Sequence, residues 1–213
     1  MDSSETLSHD ARLLWDAALG LARTASPVSA RALPPLLFFT DPLRTPEPWR
    51  TAERLPEGAG IVYRHFGAAA AEAMARRLKA IAVERGLILL IGLDARLAET
   101  VAADGVHLPE RARDQASELR AQRPHWILTG AAHSVEAALI AGDLDAVVLS
   151  PVFPAGGTSA AKPALGAEVL KTVAARRAVY ALGGVGPGTI AGLSSSGACG
   201  IAGVDAIQAA FAV

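Results

Sequence analysis

The chain has 213 residues, of which 51% are hydrophobic and 19% charged, and its 20 basic and 21 acidic side chains nearly cancel. This length suits one domain with a sizeable core, and the near-neutral charge argues against nucleic acid or an anionic membrane as a partner. The single cysteine, Cys199, excludes an internal disulfide framework and is expected to be a buried free thiol. The sequence has neither a signal-peptide pattern nor an apolar stretch near the ~20 residues that span a bilayer, so we expect a cytoplasmic protein.

The first predicted element is an amphipathic helix across 13–21, which Ser26-Pro27 ends. Short, almost continuously apolar segments follow, and we predict strands at 36–39, 60–63, 87–91, 105–108, 126–129, 146–149, 178–182 and 200–204. Continuous apolar runs are typical of strands that are covered on both faces, as in parallel sheets. The predicted organisation is an N-terminal helix and linker, residues 1–34, followed by a single domain, residues 35–213.

The segments between the predicted strands are expected to be helical crossovers. The clearest is 68–85, which places Glu72 four residues before Arg76 and is followed by Gly86, a residue that commonly ends helices. Further helices are predicted at 110–123, 134–141 and 188–195. Strand starts recur every 18 to 32 residues, so eight β/α units predict a single (β/α)8 TIM barrel in the α/β class, with an open doubly wound sheet as the alternative.

Ligands of both architectures bind beyond the C-terminal ends of the strands, so the residues that close each strand are the candidate site residues. They are Thr40-Asp41, Arg64-His65, 92–94, His107, 131–133, Ser150-Pro151, Gly183-Gly184 and Asp205.

Two glycines after the seventh predicted strand indicate an anion site. Gly183 and Gly184 precede Pro187, which we interpret as the first turn of a helix, so backbone N–H groups and the helix dipole would hold a phosphate. Val204 and Asp205, at the end of the eighth strand, complete the predicted phosphate-binding set. The alternative is a tight turn without a ligand. The Asp205 carboxylate weakens the prediction, because it would repel a phosphate unless it turned outward.

Four segments together resemble the thiamine phosphate synthase/TenI family. They are 103–108 (ADGVHL), 145–154 (DAVVLSPVFP) with Leu165-Gly166, 181–185 (ALGGV) and 197–207 (GACGIAGVDAI), and the resemblance extends over about residues 35–212. It implies a TIM barrel independently of the periodicity, a phosphorylated thiazole as small-molecule ligand, and a homodimer. It also implies one of two activities. The synthases join a pyrimidine diphosphate to the thiazole phosphate with Mg²⁺, whereas the TenI-type tautomerases move protons on a thiazole carboxylate phosphate.

The resemblance also identifies what this sequence lacks. The two metal carboxylates of the synthases align with Leu93 and with a position near Ala112, so both are missing from this chain. The basic pattern after the second strand retains only Arg64. Asp94 and Glu110 lie close in sequence, but each also suits the first turn of a helix. We therefore predict no metal ligand and no firm cofactor, with Mg²⁺ only if synthase activity is retained.

The predicted catalytic residues are His133 and Arg64. His133 matches the histidine that TenI-type tautomerases use in proton transfer, and its alternative is a helix-start histidine bonded to backbone. The Arg64 guanidinium donates paired hydrogen bonds to a phosphate or carboxylate of the ligand, or alternatively it forms an ion pair at the rim of the barrel. Lys162 is a phosphate contact or a solvated side chain, and His107 a ligand contact or a hydrogen-bonded core residue. Three functions stay open: synthase, tautomerase, and non-catalytic binding of thiazole phosphate or thiamin phosphate.

Overall fold

The protein is described by a computed structural model that covers residues 7–25, 31–140, 142–156 and 162–212. Eight parallel strands close into a barrel, in which each strand pairs with its sequence neighbours and β1 pairs with β8. They are β1 (Leu36–Phe39), β2 (Gly60–Tyr63), β3 (Ile88–Gly92), β4 (Gly105–Leu108), β5 (Ile127–Ala132), β6 (Ala146–Leu149), β7 (Val179–Ala181) and β8 (Gly200–Gly203). This closed order confirms the predicted TIM barrel and excludes the open sheet.

Helices surround the barrel. They are α1 (His9–Thr24), α2 (Pro48–Ala52), α3 (Ala71–Arg85), α4 (Ala95–Thr100), α5 (Gln115–Gln122), α6 (Val135–Leu139), α7 (Glu168–Ala174) and α8 (Asp205–Phe211), with 3-10 turns at Glu110–Ala112 and Ile190–Leu193. Within the described ranges, none of these helices is both long and apolar enough to cross a membrane. The predicted end of α1 at Ser26-Pro27 and the predicted end of α6 at 141 lie outside the described residues.

The side chains of each strand point alternately to its two faces, which explains why the strands are apolar throughout. One side-chain set faces the barrel axis and the next faces the helices, so both must be buried. The interior cluster contains Leu37, Phe39, Val62, Leu90, Val148, Tyr180 and Ala202. The cluster between barrel and helices contains Leu36, Phe38, Ile61, Leu89, Val106, Leu128 and Ile201. The two clusters leave polar side chains mainly at the strand ends, where ligands of this fold bind.

Helix α1 packs on the outside of the barrel beside β8 and α8. The Ser8 side chain caps its first turn by accepting a hydrogen bond from the Ala11 N–H at 3.1 Å, and its hydroxyl donates to the Ala210 carbonyl at 3.0 Å. Both bonds fix the start of α1 ahead of the predicted residue 13. The helix also continues beyond the predicted residue 21, to Thr24.

Two predicted helices are wrong in extent. Residues 110–123 form a 3-10 turn and then α5, and residues 188–195 form only the 3-10 turn Ile190–Leu193. The Thr189 hydroxyl explains the second case. It accepts from the Gly186 N–H at 3.0 Å and donates to the Gly184 carbonyl at 2.7 Å, so the backbone turns where a helix was expected. The loop after β7 therefore has no helix beginning at Pro187.

Candidate active site at the C-terminal end of the barrel

Two adjoining cavities open at the C-terminal ends of the strands. The smaller, of about 310 Å³, lies over β7, β8 and the loop after β1, and the larger, of about 960 Å³, lies over β2 to β6. Both are lined by Asp41, Arg64, Ser150 and Leu182. The shared lining makes the pair one candidate site with two compartments.

The glycine loop after β7 forms one wall of the smaller cavity. Gly183 and Gly184 have φ angles of 89° and 65°, and a Cβ on Gly184 would lie 2.4 Å from the Pro154 carbonyl oxygen. Glycine is therefore required here by the packing of two loops, whether or not a ligand binds. Among the described residues, the N–H groups of Gly183 and Gly184 have no acceptor, so they are available to an anion.

An ion pair spans the same cavity. The Arg44 guanidinium donates through Nε to Asp205 Oδ1 at 2.8 Å and through Nη2 to Asp205 Oδ2. This pairing raises the pKa of Arg44. Asp205 begins α8 without capping it through its side chain, and its neighbour Val204 lies in the cavity wall. The carboxylate therefore neither caps the helix nor points freely at the glycine loop.

Arg64 stands between the two compartments. Its Nε donates to the Thr40 carbonyl at 2.8 Å, and its guanidinium lies 5.4 Å from the ring centroids of both Phe39 and Phe66. Burial lowers the pKa of Arg64, although the Asp41 carboxylate, 3.9 Å away, opposes that effect. The backbone and aromatic contacts hold the guanidinium at the boundary between the compartments. Arg64 therefore does more than form an ion pair at the surface.

His107 is buried in the floor of the larger cavity. Its Nδ1 lies 3.0 Å from the Thr129 hydroxyl, and its ring meets the Phe39 ring edge-on at 4.9 Å. Burial, with a smaller contribution from the Arg64 charge, lowers the pKa of His107 to about 3. The imidazole is thus neutral at physiological pH, which suits it to hydrogen bonding and not to general acid catalysis.

His133 follows β5 and lines the larger cavity. Its Nδ1 lies 3.0 Å from the Ser150 carbonyl oxygen and 3.2 Å from the Ser150 hydroxyl, while its backbone N–H donates to Glu110 Oε2 at 2.7 Å. A carbonyl oxygen only accepts, so the neutral ring carries its proton on Nδ1. The Nε2 lone pair is then the basic position of the imidazole.

The donor set over β3 and β4 does not fit Mg²⁺. Leu93 lines the cavity and Ala112 is buried, while Asp94 Oδ1 caps α4 and its Oδ2 lies 3.4 Å from His65 Nε2. Glu110 accepts the His133 N–H. In the described part of the chain, no three His, Cys, Asp or Glu side chains are grouped as metal ligands would be.

All eight predicted site residues line one or both of the cavities, and Arg44, which the sequence did not suggest, lines the smaller one. Arg64 lines both cavities. His107, His133 and Lys162 line only the larger one, and the four residues that follow β7 and β8, Gly183, Gly184, Val204 and Asp205, line only the smaller one. Residues 157–161, immediately before Lys162, lie outside the described residues. Arg44 was missed because it lies five residues beyond β1, in a loop without periodicity. Its only sequence signal was a basic residue close after a strand-end aspartate.

The comparisons with known proteins agree with one another. The family described as thiamine monophosphate synthase (TMP-TENI) matches residues 48–207. A putative thiamine-phosphate synthase 2 of Aquifex aeolicus is 36% identical over 136 residues, which cover 62% of this chain and 72% of that protein. The thiamine-phosphate synthase of Geobacillus kaustophilus is 32% identical over 146 residues, 65% of each chain, so the match spans slightly less than two thirds of that relative.

Solved structures of other proteins share the barrel fold. The thiamine phosphate pyrophosphorylase of Pyrococcus furiosus superposes with a TM-score of 0.66 at 24% identity, covering 83% of this chain and 91% of its own. An aldolase, QR15, superposes with a TM-score of 0.57 at 14% identity over 82% of this chain and 91% of its own, which reflects the barrel alone. The family match covers most of the chain, and this protein belongs to the thiamine monophosphate synthase (TMP-TENI) family.

Proposed function

We propose that this family member catalyses a metal-independent proton transfer on a phosphorylated thiazole, a tautomerase-type isomerisation in which His133 is the base. The observation that carries the proposal is the bond from His133 Nδ1 to the Ser150 carbonyl at 3.0 Å. It fixes the ring orientation and assigns the lone pair to Nε2, as the orienting carboxylate does for catalytic histidines elsewhere.

In this reaction the substrate phosphate occupies the smaller compartment and the ring the larger one. The phosphate would contact the N–H groups of Gly183 and Gly184, and Arg64 would contact it from the boundary between the compartments. The ring would lie against Phe39 and neutral His107, which can hydrogen-bond a ring heteroatom without protonating it. His133 Nε2 removes a proton from one carbon, this proton exchanges with water on the exposed imidazole, and Nε2 then delivers a proton to another carbon, so no atom is gained or lost overall.

The donor set supports a reaction without Mg²⁺. A metal that stabilises a leaving diphosphate needs hard oxygen ligands with uncommitted lone pairs. At the matching positions this chain offers the side chains of Leu93 and Ala112, and the nearby Asp94 already accepts the Leu97 N–H and lies 3.4 Å from His65 Nε2. We therefore assign Mg²⁺ no step in the proposed mechanism.

Synthase activity is the second candidate, because the named relatives are thiamine-phosphate synthases. Arg64 and Lys162 both line the larger cavity and would supply positive charge to a diphosphate. A barrel that binds the thiazole phosphate without reaction is the third candidate. The three differ in their dependence on Mg²⁺ and on His133.

Purified protein should be incubated with the thiazole carboxylate phosphate in EDTA and the isomer followed by chromatography. His133→Gln should lower the rate by about 10²- to 10⁴-fold, the range for loss of a general base. His125→Gln, an exposed histidine away from both cavities, is the matched control and should leave the rate unchanged. A parallel incubation with pyrimidine diphosphate and Mg²⁺ tests the second candidate. Unchanged turnover in His133→Gln, or formation of thiamine phosphate that requires Mg²⁺, contradicts the proposal.

A further inference from the structure

Among the described residues, four charged side chains line the smaller cavity. Arg44 and Arg64 are positive, and Asp41 and Asp205 are negative, so the formal charges cancel. A phosphate dianion that enters this compartment gains little electrostatic stabilisation, because the surrounding charges cancel and both carboxylates repel it. The compartment therefore binds phosphate well only if one positive group becomes available to it.

Arg44 is the group whose partner can leave. The Asp205 side chain is 60% exposed, whereas that of Asp41 is 20% exposed and also accepts the Leu43 and Arg44 N–H groups at 3.0 and 3.1 Å. Rotating Asp205 into water costs little solvation, while releasing Asp41 would break two backbone hydrogen bonds. The guanidinium of Arg44 lines the cavity beside the glycine loop, within the same compartment.

We propose that Asp205 is an internal competitor for Arg44, so that the phosphate of the ligand replaces the Asp205 carboxylate on the Arg44 guanidinium. Arg44 is then a specificity-determining residue for the phosphate, and Asp205 sets how tightly phosphate binds. A carboxylate and a phosphate both accept two parallel N–H bonds from the guanidinium fork, which makes the exchange geometrically conservative. The inference rests on the phosphate position given under the proposed function.

The exchange is tested by calorimetric titration with inorganic phosphate. Asp205→Asn should bind phosphate about three- to tenfold more tightly than the wild type, because the competitor is lost. Arg44→Met should bind phosphate at least about tenfold more weakly than the wild type, since the charge-assisted bonds are lost. Glu47→Gln and Arg50→Met are matched controls, because these residues form an exposed pair at 2.9 Å near the start of α2, outside both cavities, and should not change the affinity.

The double variant separates competition from simple repulsion. If Asp205 acts by occupying Arg44, then Asp205→Asn should give a much smaller gain in the Arg44→Met background than in the wild type. An equal gain in both backgrounds means direct repulsion and overturns the proposal, as does an Asp205→Asn variant that binds no more tightly. Thermal unfolding of each variant confirms that the fold is intact.

Failure of the proposed function gives a different result. If the phosphate affinities follow the predicted order but no isomer forms, only the proton-transfer assignment fails. If isomerisation depends on His133 but the affinities do not follow that order, only the Arg44 exchange fails. If neither the wild type nor any variant binds phosphate, the exchange and the phosphate position are both wrong.

Discussion

Buried His107 should make this protein lose stability on mild acidification. The imidazole bonds to Thr129, and its burial together with the Arg64 charge lowers its pKa to about 3, against about 6.5 in an unfolded chain. Between these values the unfolded chain binds a proton that the folded protein does not. Stability is therefore fully present above about pH 6.5 and is progressively lost as the pH falls toward about 3.

The size of the effect follows from the proton linkage. A pH of about 5 lies about 1.5 units below the unfolded-state pKa of His107. At about 1.4 kcal/mol per unit, protonation of the unfolded chain lowers the free energy of unfolding by about 2 kcal/mol. We expect the wild type to lose about 2 kcal/mol more than His107→Gln between about pH 7.5 and 5, because glutamine has no proton to gain. Urea unfolding at both pH values measures this difference.

The other titrating groups are common to both proteins, so the difference between the two losses isolates His107. His125→Gln is the control, because that side chain is exposed and should lose as much stability as the wild type. Equal losses in wild type and His107→Gln would show that the imidazole is protonated in the folded protein. The assignment of His107 as a neutral hydrogen-bonding group would then be wrong.

Three further predictions concern groups that are fixed by packing. Gly184→Ala should destabilise the protein by about 2 kcal/mol or more in thermal unfolding, because the new Cβ would lie 2.4 Å from a carbonyl oxygen at a φ of 65°; an unchanged midpoint would contradict the close packing of the two loops. Cys199 should react with a thiol reagent only on unfolding, since burial raises its pKa to about 12, and rapid labelling of the native protein would be the opposing result. Tyr180→Phe should cost about 1 to 2 kcal/mol in urea unfolding, because its hydroxyl donates to the buried Pro34 carbonyl at 2.6 Å. Tyr63→Phe, whose hydroxyl has no hydrogen bond among the described residues, should cost less.

The barrel could be predicted because its signal is local and repeated. Continuous apolar runs determine where buried strands lie, and four of the predicted strands have the observed bounds, including Gly60–Tyr63 and Gly105–Leu108. The prediction for β5 ended at Thr129, whereas the strand continues to Ala132, because its last three residues are small and carry little β-strand signal.

The site was less predictable because its contacts are non-local. The sequence identified Asp205 as a difficulty for phosphate binding, but its partner Arg44 is 161 residues away in the chain. Likewise, the tether of His133 to the Ser150 carbonyl depends on the register of β5 and β6, which no motif encodes. The turn made by Thr189 was missed because a proline and a glycine ahead of a polar residue are equally typical of a helix start.

Incorporation of deuterium from the solvent is a direct measure of a proton transfer by His133. The EDTA-treated protein should be incubated with the thiazole carboxylate phosphate in D₂O, and the substrate and product carbons followed by NMR. We expect deuterium to enter the carbon that receives the proton, at a rate that Mg²⁺ does not change and that His133→Gln lowers by about 10²-fold or more. Absence of label in the wild type, or label that appears only with Mg²⁺, would contradict a proton transfer by His133.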